Sequence, residues 1–325
     1  MLNHWAVRTM LTGVIVLASG TAQAQPPAEP GTTRLCGLIV GTVVLTANTE
    51  LTCDVQCQNA PGAPCLQFGA DHIWLRLNGF KITGPADPPT GCAPNPGVLE
   101  AGIFTNGHDF IEILGPGMVQ RFRQHGILVV NSTKSTVKHV TSHHNCFSGL
   151  QTGNMTDSDI EENVLVRNAI ASGPFACGGN CNLNGHNNRI RRNEAAGNGS
   201  VELGVTPRGS LPNDFGISLL GNSSGNVIEE NGIGGNINGL WLAPPTVGNL
   251  IRRNVIAGNP PVQISPTASP TVGADIRDFS APGANAFEEN LCITYDGPTV
   301  PAPCPNFPKF AGHRNTSQGS STRSP

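Results

Sequence analysis

The chain has 325 residues, of which 13% are charged and 5% aromatic, with a formal net charge of −3 and ten cysteines. So mild a balance excludes a general nucleic-acid binder, which carries a basic excess. One tyrosine and few aromatics exclude a dedicated aromatic track for sugars, and no run beyond the N-terminal segment is long enough to span a membrane.

Residues 1–24 read as a secretory signal: Arg8, an apolar run over residues 11–18, and the small-x-small site Ala22-Gln23-Ala24. Cleavage near Ala24/Gln25 predicts a secreted or periplasmic protein. All ten cysteines follow that site, and an even number in an exported chain favours disulfides. Cys177 with Cys181 and Cys292 with Cys304 are the predicted local pairs. A structural zinc site using Cys53 and Cys57 is the alternative. Residues 25–69 form a Pro-rich leader and a disulfide-rich N-terminal cap, with one strand expected at residues 41–45 and a cysteine-rich loop after it. Residues 73–77 alternate and run into Asn78-Gly79, a strand and turn. Residues 85–96 are a Pro-rich loop carrying Cys92.

From about residue 102 the chain repeats. Asn226-Val227-Ile228-Glu229-Glu230-Asn231 returns as Asn249-Leu250-Ile251-Arg252-Arg253-Asn254, an offset of 254 − 231 = 23 residues. The same frame occurs at residues 158–163, 188–193 and 285–290, and more weakly at 135–140. Repeats of about this length mark solenoids. Short strands start after glycine at Gly102, Gly126, Gly149, Gly216 and Gly239, and no helical period is sustained. Stacked about 4.8 Å apart, such coils place Ile160, Ile190, Ile228, Ile251 and Phe287 in one core column. They also align Asn163, Asn193, Asn231 and Asn254 in a second column, and Asn145, Asn168, Asn198, Asn236 and Asn259 in a third. Asn suits left-handed turns and can bond along a stack. After each core residue come two like charges whose sign flips between copies: Lys138-His139, Glu161-Glu162, Arg191-Arg192, Glu229-Glu230, Arg252-Arg253, Glu288-Glu289. Unlike charges on neighbouring strands favour pairing, so the flip fixes the order of the rungs. Residues 197–212 and 265–282 read as insertions, and residues 298–325 as a C-terminal loop and polar tail.

The glycine-led strands, the Ile-x-x-Asn turns and the opening run from Leu75 to Gly84 (LRLNGFKITG) resemble right-handed parallel β-helix repeat proteins, the pectate-lyase-like superfamily and the NosD-like group. The resemblance covers residues 70–297. It implies an all-β chain, a single right-handed parallel β-helix of about 8–10 coils. A leucine-rich repeat would need a Leu-x-x-Leu-x-Leu pattern and helices, which do not recur. By resemblance, the partner is a polysaccharide held along one face. Lyases of this kind use carboxylates on Ca²⁺ with a Lys, Arg or His base, and hydrolases use carboxylate pairs.

The richest constellation lies in residues 121–167. His125, His143, His144, Asp157 and Arg167 are the candidate catalytic residues, since imidazole transfers protons near neutrality and Arg offsets substrate charge. Aligning Asn145 with Asn168 sets His144 over Arg167. Arg121, Arg123, Gln151 and Trp241 are the candidate substrate-binding residues, Trp241 lying in an outward column with Phe104, Leu128, Gln151 and Ser218. Asp275 and Asp278 flank Arg277 and offer oxygens for Ca²⁺, a local salt bridge being the alternative; no cofactor is otherwise implied. The expected function is a lyase or epimerase of acidic polysaccharide, acting as a monomer. The alternatives are a glycoside hydrolase, a non-catalytic binding or surface solenoid, and a periplasmic copper-handling protein using His139, His143 and His144.

Overall fold

The computed structural model describes residues 31–86, 92, 100–169, 177–199, 215–259, 273–299, 303 and 304. The expected signal, most of the leader, the greater part of the insertion expected at 197–212 and the polar tail lie outside the described residues; of the insertion expected at 265–282, residues 273–282 are described, and Ala274–Asp278 is a strand of the first face, paired with Asn238–Leu242, rather than loop. What is described is all-β, a single right-handed parallel β-helix without a helix among those residues.

A ten-stranded sheet forms the first face. It carries the glycine-led strands, among them His125–Val130, Ser148–Gly153, Phe215–Leu220 and Asn238–Leu242. A sixteen-stranded sheet forms the remainder, and beyond the strand Thr136–His143 it divides into two lanes. One coil therefore presents a first face, a second face such as Asp159–Glu161 and a third face such as Val164–Val166. Pairing is parallel throughout and already begins at Thr33–Val40, which pairs with Thr49–Gln58. The segment expected as one strand plus a loop thus carries the opening coils, cross-linked by Cys36–Cys53 and Cys57–Cys65. Its alternation appears once Cys57 is counted as apolar: Val55 and Cys57 point inward and are buried. Cys92–Cys146, Cys177–Cys181 and Cys292–Cys304 complete the set, which leaves no thiolate for zinc.

Ile160, Ile190, Ile228 and Ile251 stack in register and are fully buried. Phe287 continues the column on the outermost described rung of this face and is only partly covered.

Asparagine does more than turn the chain. Asn163 donates from both its backbone N and its Nδ2 to Asn193 Oδ1, each at 3.0 Å, and Asn193 Nδ2 in turn donates to Ile160 O at 2.9 Å. The unit repeats from Asn193 to Asn231, Asn254 and Asn290. The third-corner column from Asn145 to Asn259 is built alike. A further column, Asn188, Asn226, Asn249 and Asn285, closes the first corner. These amides are buried. The left-handed residue is not the asparagine but the one before it: Glu162, Arg192, Glu230 and Arg253 have φ between 52° and 58°. One side chain thus satisfies buried donors and an acceptor on both neighbouring coils, which removes the cost of burying them.

The charge ladder forms on the second face as Lys138, Glu161, Arg191, Glu229, Arg252 and Glu288 in strict register. Glu161 meets Lys138 at 3.3 Å, Arg191 at 3.1 Å, and Arg192. Glu229 meets Arg252 at 2.7 Å and Arg253 at 3.1 Å. Burial alone would raise the Glu229 carboxyl, but Arg252 and Arg189 outweigh it and hold it below the usual carboxylate range.

Asn193→Ala strips the acceptor from two buried donors of Asn163 and the donor from Ile160 O. It is expected to cost about 3 kcal/mol or more in urea denaturation. A loss below about 1 kcal/mol would reduce the ladder to a packing feature.

Candidate functional site: a groove on the third face

The third face is lined by residues that follow each second-corner asparagine. Its outward positions read down the stack as Gln120, His143, Val166, Ala196 and Gly234, in register. From His143 onward side-chain bulk falls along that column, so the surface sinks. The hollow has a volume of about 700 Å³ and is lined by His143, His144, Val166, Arg167, Glu194 and Ala196, with Gly197, Gly234 and Gly235 at its far end.

The corner beside it is a column of left-handed residues: Arg121 at φ 61°, His144 at 54°, Arg167 at 55°, then Gly197 at 60° and Gly235 at 69°. His144 N donates to Arg167 O at 3.1 Å and Arg167 N to Ala196 O at 3.1 Å, which fixes the column. Left-handed φ is strained for side chains other than glycine and is held by surrounding structure, often at functional sites. At the second corner such residues alternate in sign and pair. Here Arg121, His144 and Arg167 follow one another with no acid between them in the column.

His143 and His144 share an Nδ1···Nδ1 hydrogen bond of 2.6 Å, their rings edge to face. Burial, with His144, Arg121, Arg167 and Lys81 adding positive charge, pushes His143 down to about 4. It is neutral at pH 7 and carries an unprotonated ring nitrogen, as a proton acceptor must.

The other expected site residues lie elsewhere. His125 starts a first-face strand, is buried, and bonds Ser148 Oγ at 2.7 Å. Asp157 is exposed at the first corner, where it accepts from Asn187 Nδ2 at 3.2 Å. Arg123 is drawn inward by Glu100, which is fully buried, at 2.7 Å, and also donates to Asn59 O. A buried carboxylate needs that partner, so Arg123 is a structural cation. Gln151 and Trp241 share the outward column of the first face, with Cys181 and Ser218 between them. Trp241 packs on Phe215 at 4.5 Å and Phe279 at 5.2 Å, under the Arg277 guanidinium at 5.2 Å. Its ring is taken up by the chain itself. Arg277 pairs with Asp296 at 3.0 Å rather than with its sequence neighbours. Asp275 is buried and ends the third-corner ladder, accepting from Asn259 Nδ2 at 3.0 Å, while Asp278 accepts from Ser280. Both are committed to the fold, and no cluster of three or more metal-binding side chains occurs among the described residues.

Glu194 is the groove residue that motif reading passed over. The signal was present: stepping one residue beyond each second-corner asparagine gives Val164, Glu194, Gly232 and Val255, a column with a single charge.

No protein-family model and no curated protein matches the chain in sequence. Solved structures do match in fold. Full-length tailspike protein 2 from Escherichia coli O157:H7 bacteriophage CAB120 superposes with a TM-score of 0.56 at 12% identity, over 83% of this chain and 37% of that one. The Dettilon tailspike protein gives 0.56 at 15% identity, over 82% and 52%. DFA-IIIase from Arthrobacter chlorophenolicus A6, in complex with GF2, gives 0.50 at 8% identity, over 80% and 68%. The chain thus spans from about a third to a half of the length of the tailspikes. No helix among the described residues is long and apolar enough to cross a membrane.

His125 is pushed down to about 4 by burial. The unfolded chain takes up this proton below about pH 6.5, and the folded protein only near 4. Its stabilising contribution is therefore full above pH 6.5 and declines as pH falls through that window. Denaturation at stepped pH should show the loss of stability from pH 7 to 4 reduced by about 3 kcal/mol in His125→Gln relative to the intact protein, with His143 titrating in the same window in both. An unchanged slope in the variant would show that another group titrates.

Proposed function

We propose that the chain binds an acidic polysaccharide along the third-face groove and acts on it as a lyase or epimerase. The observation that supports this most strongly is the run of Arg121, His144 and Arg167, with no acid among them, down one corner of a solenoid whose second-corner charges alternate. Parallel β-helices present extended grooves along the stack, and sugars repeat along them much as coils do.

In this reading the Arg167 and Arg121 guanidiniums hold a uronate carboxylate, and His143 faces the carbon next to it. The neutral imidazole takes the proton from that carbon, and the electron pair left behind spreads into the carboxylate, which the arginines stabilise. Return of a proton to the opposite face gives an epimer. Departure of the adjacent glycosidic oxygen, taking the electron pair and a proton, gives an unsaturated sugar. Burial holds the His143 pKa down first, but its cationic neighbours add to that. A bound anion offsets them, so the imidazole becomes a stronger base when substrate is present. Exposed Asp157 and the distant His125 have no part in the chemistry.

The test is a panel of acidic polysaccharides followed three ways: binding by calorimetry, ultraviolet absorbance for unsaturated uronate, and exchange of solvent deuterium into the sugar for epimerisation. His143→Ala is expected to lower turnover about 100-fold or more with binding little changed. Arg167→Ala should weaken binding most at low ionic strength. Binding with neither unsaturation nor exchange would favour the non-catalytic solenoid, and no binding at all would overturn the proposal.

A further inference from the structure

We propose that Glu194 divides the groove into a half that accepts anionic sugars and a half that refuses them. The ligand is then a mixed polysaccharide, with anionic residues over the coils of Arg121, His144 and Arg167 and a neutral residue over Glu194. This rests on the acidic-polysaccharide reading above and narrows its substrate class.

Three observations carry it. The first is the charge sequence of the third face along the stack. Lys81, Arg121, the His143-His144 pair and Arg167 occupy four successive coils, and Glu194 occupies the fifth. The two coils after it present Gly232, Gly234 and Gly235, then Val255 and Gly258, without a charge. The groove therefore has a polarity along the helix axis.

The second is the isolation of Glu194. Glu161, Glu162, Glu229 and Glu230 on the second face each meet at least one Arg, Lys or His, and the buried Glu100 meets Arg123. Glu194 is exposed on the groove and makes no ion pair or side-chain hydrogen bond among the described residues. Glu112, Glu288 and Glu289 are likewise exposed without an ion pair among the described residues, but of these carboxylates Glu194 is the one that lines the groove.

The third is the glycine beside it. Gly232 is the register partner of Glu194, its φ is not in the left-handed region, and a Cβ added there meets no described atom within 4 Å. Neither backbone strain nor crowding among the described residues calls for glycine. Glycine inside a strand weakens it and often marks a place where a ligand approaches closely. The bare flank leaves the carboxylate open toward that approach. A uronate seated there would set carboxylate against carboxylate, whereas a neutral sugar can bond its hydroxyls to the same oxygens.

The experiment compares hexamers of galacturonate and of mannuronate with the same hexamers carrying methyl esters on half their carboxyls. Binding to the intact protein and to Glu194→Gln is measured by calorimetry. The intact protein should prefer the half-esterified hexamers about fivefold, and Glu194→Gln should bind the fully anionic ones about fivefold more tightly than the intact protein does. The gap should shrink as salt rises to 0.5 M or so, as expected for a partly solvated charge. The variant should unfold at the same temperature, since it breaks no pair in the described structure. Equal binding of fully anionic hexamers by both proteins would overturn this inference and leave the acidic-polysaccharide reading standing. Failure of both proteins to bind any hexamer would overturn the two together.

Discussion

The structure depends on one demand: a buried amide in each corner must find its acceptor in the next coil. Asn193 Oδ1 takes two hydrogen bonds from Asn163, and its Nδ2 reaches back to Ile160 O. Each coil touches only its neighbours, so these groups find their partners one rung away, as the serine hydroxyls of Ser135 and Ser158 do at the first corner. Because the donor and acceptor belong to the same residue type at the same position, the motif propagates without limit and permits one register only. The isoleucine column and the charge columns fall into place as consequences.

That register turns the sequence of charges into a map of surface potential. On the second face every rung opposes its neighbours, so the field cancels within a few ångströms, and Arg252 and Arg189 hold Glu229 ionised. On the third face the signs do not alternate from rung to rung. Four coils bring positive or protonatable groups together, the fifth brings Glu194, and the following two bring none. The same backbone thus carries a neutral wall on one side and a polar groove on the other, and the difference lies only in which residue precedes or follows the asparagine.

Much of this was legible in the chain because the period is nearly strict. Aligning Asn145 with Asn168 was enough to set His144 beside Arg167, and the six charge pairs gave their own pairing order. Two things hid from that reading. The left-handed turn that the asparagines suggest sits one position earlier, on Glu162 or Arg192; the amide is needed inside, and the corner residue turns outward. Arg123 and His125 stand out by their chemistry and Trp241 as outward by period-2 alternation, which says only which way a side chain points. It cannot say that buried Glu100 draws Arg123 in, that Phe215 and Phe279 cover Trp241, or that Ser148 holds His125 in the interior.

Coil length supplies the last step. Successive second-corner asparagines are 30, 38, 23 and 36 residues apart from Asn163 to Asn290. The excess over 23 always falls in one place. It lies between Asn168 and the strand Asn180–Leu183, between Asn198 and Phe215–Leu220, and between Asn259 and Ala274–Asp278. In sequence, each of these long connections follows directly on a third-corner asparagine. The first two corners cannot host such excursions, because five residues separate their asparagines and each is tied to the coils above and below. Only past the third corner is the chain released from the ladder. Sequence there can change without disturbing the register, and function in repeat folds concentrates on such connections. The groove residues His143, His144, Arg167 and Glu194 thus lie on the face whose strands come just before the longest connections in sequence.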